Sequence, residues 1–468
     1  MSVDDDTAGP ATTAALLAAL RAGRLSARDA VAAALERCRQ GSDLNAMISL
    51  RADDALAEAE RADALHGEGD TSGPLHGLPI VVKDNVAVGG WRYTGGSPAF
   101  EHHVAPADAT VVARLRRAGA IVIGKANLHE LAFGTTSNNG RFGPVRNPRD
   151  PSRIAGGSSG GSAVAVAAGF VTAAVASDTG GSGRIPAAFC GCVGLRPTTG
   201  RYVGDGVMNL STTRDTVSVM ANRVADIALL DGVITDETDD APPPAAIRLG
   251  LLAPFAATDL DRDVRAAFDA AVARLEAAGV ALVAVDGSEI EALDREIGMG
   301  LVAAEAARIW TDLVPRTLGI SLADFVERLG SPDVKATFTA ILDPAHAVGD
   351  AAYRQLVAER RPRLQAAYAE LFEVNGVDAF LFPTVPAVAP PVGQDDVIVI
   401  EGRALPLFPT TIRNTGPGSL AGVPGITLPL PVEAGRLPVG LALDAPAGAD
   451  RRLLAIAAAL EAILARRG

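Results

Sequence analysis

Two short loops rich in glycine and serine carry the residue types that covalent catalysis would need. One reads GGSSGGS from Gly156, and the other reads DTGGSGR from Asp178. Glycine allows tight turns, so successive backbone N–H groups can point at one place and stabilise a developing oxyanion. Ser182 follows Gly180 and Gly181 in the second loop, which is a suitable position for a nucleophile.

A serine nucleophile needs a base, and histidine is a poor candidate here. The chain has six histidines, and only His346 follows Ser182, in a predicted loop. Lys83 ends the apolar run LPIVVK, where a charged ammonium is costly, so its pKa should fall and the neutral amine can act as a general base. The alternatives are that the loops are only tight turns or anion nests and that Lys83 reaches water.

Composition excludes several classes of protein. With 42 Lys+Arg against 55 Asp+Glu, the net charge of −13 argues against a nucleic-acid or anionic-membrane surface. Three cysteines are too few for a disulfide scaffold, and Cys190 and Cys192 lack further metal ligands nearby, so we expect no metal and no other cofactor. The acidic start MSVDDDTAGP is unlike a signal peptide, which favours the cytoplasm.

The segments that must position these residues alternate between helix and strand. Periodicity predicts helices over 12–22, 27–40, 52–65, 108–118 and 162–168, and strands over 78–83, 120–124 and 171–176. Ser26 is the expected N-cap of the second helix. The uncharged run 155–177 has transmembrane length, but it opens with GGSSGGS, so we expect a buried helix and strand. This alternation is typical of an α/β sheet with helices on both faces.

The chain changes character after residue 235. An acidic, proline-rich connection is predicted at 236–246, and residues 290–376 are mostly helical in pattern. Core strands return at 378–383 and 425–430, and a helix over 449–467 closes the chain. We therefore predict one large domain in four parts: N-terminal helices (1–70), a catalytic core (71–235), a mostly helical substrate-side region (236–376), and C-terminal core strands with the closing helix (377–468).

The two loops resemble the amidase signature family. The matching segments are GGSSGGSAVAVAAG and SDTGGSGRIPAAFCGCVGLRPTTGR. The family uses a Ser–cis-Ser–Lys triad, so the resemblance implies Ser182 as the nucleophile, Ser158 as the bridging serine after a cis peptide bond, and Lys83 as the base. It also implies a mixed, twisted central sheet and an oxyanion hole made by the backbone of Thr179, Gly180, Gly181 and Ser182.

A narrower resemblance concerns the substrate. The segments TGRYVGDGVMNLSTTRDTVSVMANRVADIALLD and IRNTGPGSLAGVPGITLPL are similar to the indoleacetamide and mandelamide hydrolase branch, which implies primary amides of arylalkyl acids. The sequence departs from the family at Gly183, where Ile or Val is usual. It departs again at Ser218 and Val219, where Gly-Pro is common.

Other residues are assigned supporting roles. We expect Ser159 to hydrogen bond to the loop, and Asp178 and Arg184 to pair either beside the nucleophile or as a surface ion pair. By resemblance, His129 and Asn138 belong to the wall of the acyl pocket, His129 as a structural residue, and Arg413 and Asn414 approach the pocket. Residues 290–420 are expected to shape it.

The sequence therefore predicts a serine hydrolase that cleaves the C–N bond of small arylalkyl or aryl amides through an acyl-enzyme on Ser182. One alternative is that the same triad acts on carbamates or esters. A second is a glutaminase subunit of a tRNA-dependent amidotransferase, which would need a protein partner. For the main hypothesis, we expect a small-molecule amide as the only partner, no nucleic acid, no membrane, and a monomer or homodimer.

Overall fold

A computed structural model describes residues 12–71, 73–237 and 246–466. The acidic N-terminal stretch and most of the connection at 236–246 lie outside these ranges. The helices are α1 Thr13–Arg21, α2 Ala27–Gln40, α3 Ala52–Gly67, α4 Thr110–Arg117, α5 Gly160–Ala167, α6 Arg184–Cys190, α7 Val224–Thr235, α8 Arg262–Ala277, α9 Ser288–Leu318, α10 Leu322–Glu327, α11 Pro332–Leu342, α12 Asp350–Gln355, α13 Arg361–Asn375, α14 Leu407–Ile412, α15 Gly416–Ala421 and α16 Asp450–Ala465.

The strands form one large sheet and two small ones. They are β1 Met47–Leu50, β2 Pro79–Lys83, β3 Ile121–Ala126, β4 Asn138–Asn139, β5 Gly143–Pro144, β6 Ala173–Asp178, β7 Val193–Arg196, β8 Thr216–Ala221, β9 Arg248–Ala253, β10 Ala281–Asp286, β11 Ala379–Pro383, β12 Val397–Ile400, β13 Arg403–Pro406, β14 Gly425–Pro429 and β15 Gly440–Asp444. Within the described ranges, the large sheet has 11 strands in the order β1-β3-β2-β6-β8-β7-β14-β15-β11-β9-β10.

The large sheet is mixed, which confirms the predicted fold class. Strands β2, β3 and β6 run parallel, as do β9, β10 and β11, whereas β7, β8, β14 and β15 pair antiparallel. The central strands are buried along their whole length, as expected when helices cover both faces of a sheet. The sheet draws strands from all four predicted parts of the chain, so these parts fold as a single domain.

Parallel pairing brings the site residues to one edge of the sheet. Val82 pairs with Val175 on the neighbouring strand, so the carboxyl ends of β2 and β6 lie side by side. Lys83 ends β2, and Ser177 and Asp178 end β6. Ligands commonly bind where parallel strands of an α/β sheet end.

Element boundaries shift from the predictions by a few residues, for identifiable reasons. The strand predicted over 171–176 extends to Asp178, because Asp178 pairs with Thr216 of β8. The helix predicted over 162–168 begins two residues earlier, at Gly160. Its first turn packs closely on a neighbouring segment, since a Cβ on Gly161 would lie 2.3 Å from the carbonyl oxygen of Ala46. The run at 155–177 therefore forms a loop, helix α5 and strand β6. Within the described ranges, no helix is long and apolar enough to cross a membrane.

Candidate active site

Lys83 and Ser158 are in direct contact in the interior of the protein. Lys83 Nζ donates a hydrogen bond to Ser158 Oγ at 2.7 Å and another to Ser177 Oγ at 2.9 Å. Asn85 Nδ2 also donates to Ser177 Oγ, at 3.0 Å. Both hydroxyls are neutral, so the lysine is held by groups that do not require it to be charged.

The surroundings of Lys83 favour its neutral form. Burial lowers the pKa of Lys83 from 10.5 to about 7, although the negative charges of Asp178 and Asp215 raise it in part. Desolvation of this size makes a lysine a usable general base near neutral pH. The expectation that the pKa of Lys83 falls is therefore met.

Ser158 is held in place by contacts with the segment 129–136. The peptide bond between Gly157 and Ser158 is cis, as the resemblance implied. Gly157 packs against the 135–136 backbone, since a Cβ there would lie 2.9 Å from Thr136 N. The carbonyl of Ser158 accepts a hydrogen bond from His129 N at 3.0 Å. The neighbouring Ser159 Oγ donates to the carbonyl of Ser177 at 3.1 Å.

A buried carboxylate organises the loop that carries Ser182. Asp178 accepts hydrogen bonds from Gly181 N at 2.8 Å and Gly183 N at 3.0 Å. It also pairs with Arg184 at 3.1 Å and Arg196 at 3.3 Å, and all three charged side chains are fully buried. Burial alone would raise the pKa of Asp178, but the two guanidinium groups outweigh it and hold that pKa well below its usual range. The Asp178–Arg184 pair is therefore internal, and the surface alternative is wrong.

The predicted oxyanion amides do not all have the same environment. Thr179, Gly180 and Ser182 line the cavity described below. Gly181 does not, and its N–H is occupied by the Asp178 carboxylate. The structure thus leaves Gly181 as a loop-forming residue, with a φ of 127° and a Cβ position only 2.2 Å from Thr415 Oγ1. Its assignment to the oxyanion hole stays a prediction, with its N–H already hydrogen bonded to Asp178.

A cavity of about 300 Å³ opens at Ser182, whose residue surface is 9% exposed. Most of its wall is apolar: Ala132, Phe133, Leu210, Met299, Val302, Ala303, Ala306, Ile341, Leu407, Phe408 and Ile412. Polar side chains contribute at His129, Thr135, Thr136, Arg214, Asp333, Thr337 and Asp395. The expectation that residues 290–420 shape the pocket agrees with this lining, although the sequence did not identify which of them.

His129 lines the cavity and has a structural role, as its hydrogen bonds show. Its Nε2 lies 2.8 Å from Asp333 Oδ2, and its Nδ1 accepts a hydrogen bond from Ser137 N at 3.2 Å. A backbone N–H can only donate, so Nδ1 carries no proton and Nε2 donates to Asp333. The imidazole ring of His129 is thereby held in place by contacts at both of its nitrogens.

Three other residues assigned to the pocket lie outside its lining. Asn138 donates to Asp395 Oδ1 at 2.9 Å and so acts on a residue of the wall. Arg413 donates to the carbonyl of Thr258, and the buried Asn414 donates to that of Pro383 at 2.7 Å. Neither Arg413 nor Asn414 lines the cavity, so their placement in the pocket is corrected, and the preceding Ile412 lines it instead.

Sequence reasoning missed several residues that contact this site. Ser177 stands directly before the DTGGS motif and could have been suspected from that position. Asp215, Glu305, Asp333 and Asp395 gave no local signal, because the contacts that matter join distant segments. Within residues 12–71, 73–237 and 246–466, no group of three or more His, Cys, Asp or Glu side chains is arranged to hold a metal ion.

Comparison with known proteins decides the family. The model of the family described as Amidase matches residues 29–454. The chain belongs to the amidase family. It is 38% identical over 432 residues to indoleacetamide hydrolase of Rhizobium radiobacter, covering 91% of each chain. It is 40% identical over 468 residues to mandelamide hydrolase of Pseudomonas putida, covering 96% of this chain and 90% of the relative.

The same assignment follows from the fold. A crystal structure described as an amidase superposes with a TM-score of 0.89 at 35% identity, covering 97% of this chain and 100% of that one. This amidase-family chain is therefore a hydrolase that acts on amide C–N bonds.

Proposed function

We propose that this amidase hydrolyses primary amides of small arylalkyl or aryl acids through an acyl-enzyme on Ser182. The observation that carries the proposal is the 2.7 Å contact between buried Lys83 and Ser158, next to a cavity that Ser182 lines. A neutral base, a hydroxyl that can relay a proton and a serine that faces a cavity are the parts that a serine amidase needs.

Acylation begins with a proton relay. Neutral Lys83 accepts the proton of Ser158, and Ser158 accepts the proton of Ser182 as Ser182 Oγ attacks the amide carbonyl carbon. The tetrahedral oxyanion is then stabilised by backbone N–H groups among Thr179, Gly180 and Ser182. Each such donor is worth roughly 10²–10³ in kcat.

Collapse of this intermediate needs a proton on the leaving nitrogen. Ser158 returns the proton, so the C–N bond breaks and ammonia leaves. Water then attacks the ester carbonyl with the same relay as its base, Ser182 recovers its proton, and the carboxylic acid departs. The balance is one amide and one water to one acid and one ammonia.

The apolar cavity supports an aromatic acyl group. Phe133, Leu210, Ile341 and Phe408 provide surfaces against which a ring can pack. Two relatives are named for indoleacetamide and mandelamide, each of which joins an aromatic ring to a short acyl chain. We further propose a cytoplasmic monomer or homodimer without a nucleic-acid or membrane partner, in keeping with the net charge of −13.

A substrate panel with the purified chain tests the proposal. It comprises phenylacetamide, mandelamide, indoleacetamide, a nitroanilide, an aryl carbamate and glutamine, with released ammonia or amine as the readout and Ser182→Ala as the control. We expect the three aryl amides to be turned over and Ser182→Ala to be inactive. Preferential turnover of the carbamate would favour the alternative in which the same triad acts on carbamates. Release of ammonia from glutamine but from no other substrate, and only when a partner protein is added, would contradict the proposal.

A further inference from the structure

Asp215 lies behind the nucleophile loop and has no role in the relay described above. Its Oδ1 accepts a hydrogen bond from Thr179 Oγ1 at 2.6 Å, and its Oδ2 accepts bonds from Leu210 N at 2.7 Å and Ser211 N at 2.9 Å. We propose that Asp215 is a positioning residue that holds Thr179 in place for the oxyanion. This inference rests on the proposed acyl-enzyme mechanism.

Thr179 is held from two directions by neighbouring residues. Asp215 binds its hydroxyl, and Arg214 Nε donates to its carbonyl oxygen at 3.1 Å. The carbonyl of Thr179 and the N–H of Gly180 share one planar peptide group, so fixing the first also fixes the second. Asp215 and Arg214 together therefore set the direction of a candidate oxyanion donor.

The segment 210–215 is itself anchored to helix α9. The buried carboxylate of Glu305 accepts hydrogen bonds from Ser211 Oγ, from Thr212 Oγ1 at 3.0 Å and from Thr213 Oγ1 at 3.0 Å. Three hydroxyl donors on one carboxylate hold the backbone that presents Asp215. Its position relative to Thr179 is thus determined by the fold.

The charge of Asp215 is less neutralised than that of its neighbour Asp178. Asp178 is paired with two guanidinium groups, whereas the hydrogen-bond donors to Asp215 are a hydroxyl and two amides. Burial raises the pKa of Asp215 to about 6, and these donors and the charge of Arg196 oppose that effect. Lys83 and Arg214 are the other cations that interact electrostatically with Asp215.

The two carboxylates act on the base in the same sense. Asp178 and Asp215 are the two charged groups that raise the pKa of Lys83 against burial. Removal of the charge at residue 215 should therefore ease deprotonation of Lys83, so the acid limb of kcat/KM moves to lower pH.

Two matched variants separate positioning from charge. In Asp215→Asn, one oxygen must serve donors that two oxygens served, so Thr179 or the 210–211 amides lose their acceptor. We expect kcat for phenylacetamide to fall roughly 10- to 100-fold, KM to change less than about twofold, and the acid limb to move to lower pH. Thr179→Val removes the hydroxyl but leaves the charge, so we expect a similar loss in kcat with the acid limb unmoved.

The double variant decides whether the two residues act together. If Asp215 acts through Thr179, the two losses in kcat do not multiply. An unchanged kcat in a folded Asp215→Asn, or losses in kcat that multiply in the double variant, would overturn the inference. Should Asp215→Asn fail to fold, an unchanged kcat in Thr179→Val overturns it as well. A wild-type chain without amide turnover would instead overturn the proposed function.

Discussion

Lys83 Nζ and Ser158 Oγ lie 2.7 Å apart, and both residues are completely shielded from solvent. Lys125 is equally buried but lies 3.1 Å from the carboxylate of Asp84. One lysine is thus matched by an opposite charge, and the other has only hydroxyl partners. Burial lowers the pKa of both lysines, but at Lys125 the adjacent carboxylate of Asp84 opposes this effect and favours the charged form.

The contrast predicts that replacing Lys83 by Met affects mainly activity, whereas replacing Lys125 by Met affects mainly stability. Lys83→Met should lower kcat/KM by about 10²–10⁴-fold, since it removes the proposed general base, while the protein stays folded. Because the folded-state pKa of Lys83 is depressed, the unfolded chain binds more protons between pH about 7 and about 10.5. The free energy of unfolding of the wild type, measured relative to Lys83→Met by urea denaturation, should therefore rise with pH across this window.

Lys125→Met is the matched control for these measurements. It leaves Asp84 buried without its cation, and breaking a buried pair typically costs about 3–5 kcal/mol. We therefore expect a lower free energy of unfolding at pH 7.5. A Lys83→Met protein that is destabilised as strongly as Lys125→Met would mean that Lys83 is charged in the folded state.

The activity of the enzyme should increase with pH on the acid limb of its pH profile. The proposed relay requires neutral Lys83, and the pKa of Lys83 is about 7, so kcat/KM should rise as pH increases through about 7. Initial rates with phenylacetamide between pH 5 and pH 9 would give the profile. A rate that falls across this range would be incompatible with Lys83 as the base.

Gly183 and Ser218, two positions at which the sequence departs from the family pattern, are in contact. A Cβ on Gly183 would lie 2.1 Å from Ser218 Oγ, which donates to the carbonyl of Leu195 at 2.7 Å. Gly183→Val should therefore destabilise the protein by about 1–3 kcal/mol through overpacking, and added Ser218→Gly should recover part of the loss. Urea unfolding of the two single variants and the double variant provides the cycle, and simple additivity would argue against this coupling.

Two carboxylates line the same cavity and should select substrates by charge. Asp333 is hydrogen bonded to His129, Asp395 is hydrogen bonded to Thr136 at 2.6 Å, and Arg214 directs its donors to backbone carbonyls. We expect 4-carboxyphenylacetamide to have a kcat/KM at least about tenfold below that of 4-methylphenylacetamide. Asp333→Asn and Asp395→Asn should reduce this difference in kcat/KM between the two substrates. If neither variant changes the difference, the two carboxylates are not the cause of the charge selectivity.

The sequence predicted the parts of the site that are continuous in the chain. The loops around Ser158 and Ser182 contain their own signal in Gly and Ser, and LPIVVK shows by its apolar pattern that Lys83 ends a buried strand. Ser182 and Lys83 could therefore be proposed before any contact was known.

Other parts could not be predicted because they depend on contacts between distant segments. Glu305 stabilises the loop at 211–213 from a helix far along the chain, and nothing near it in sequence marks that partner. Arg413 and Asn414 show that a sequence pattern does not give side-chain direction. Of the three adjacent residues 412–414, Ile412 lines the cavity and the other two do not. Strand β8 was not predicted either, although its pairing with β6 extends that strand to Asp178.

The central claim, an acyl-enzyme on Ser182, is tested most directly by mapping a serine-reactive phosphonate on the native protein by peptide mass spectrometry. We predict one modified residue, Ser182, loss of turnover in proportion to labelling, and no labelling in Ser182→Ala. Modification of Ser158, Ser159 or Ser177 with Ser182 left free, or full turnover after complete labelling of Ser182, would contradict the account.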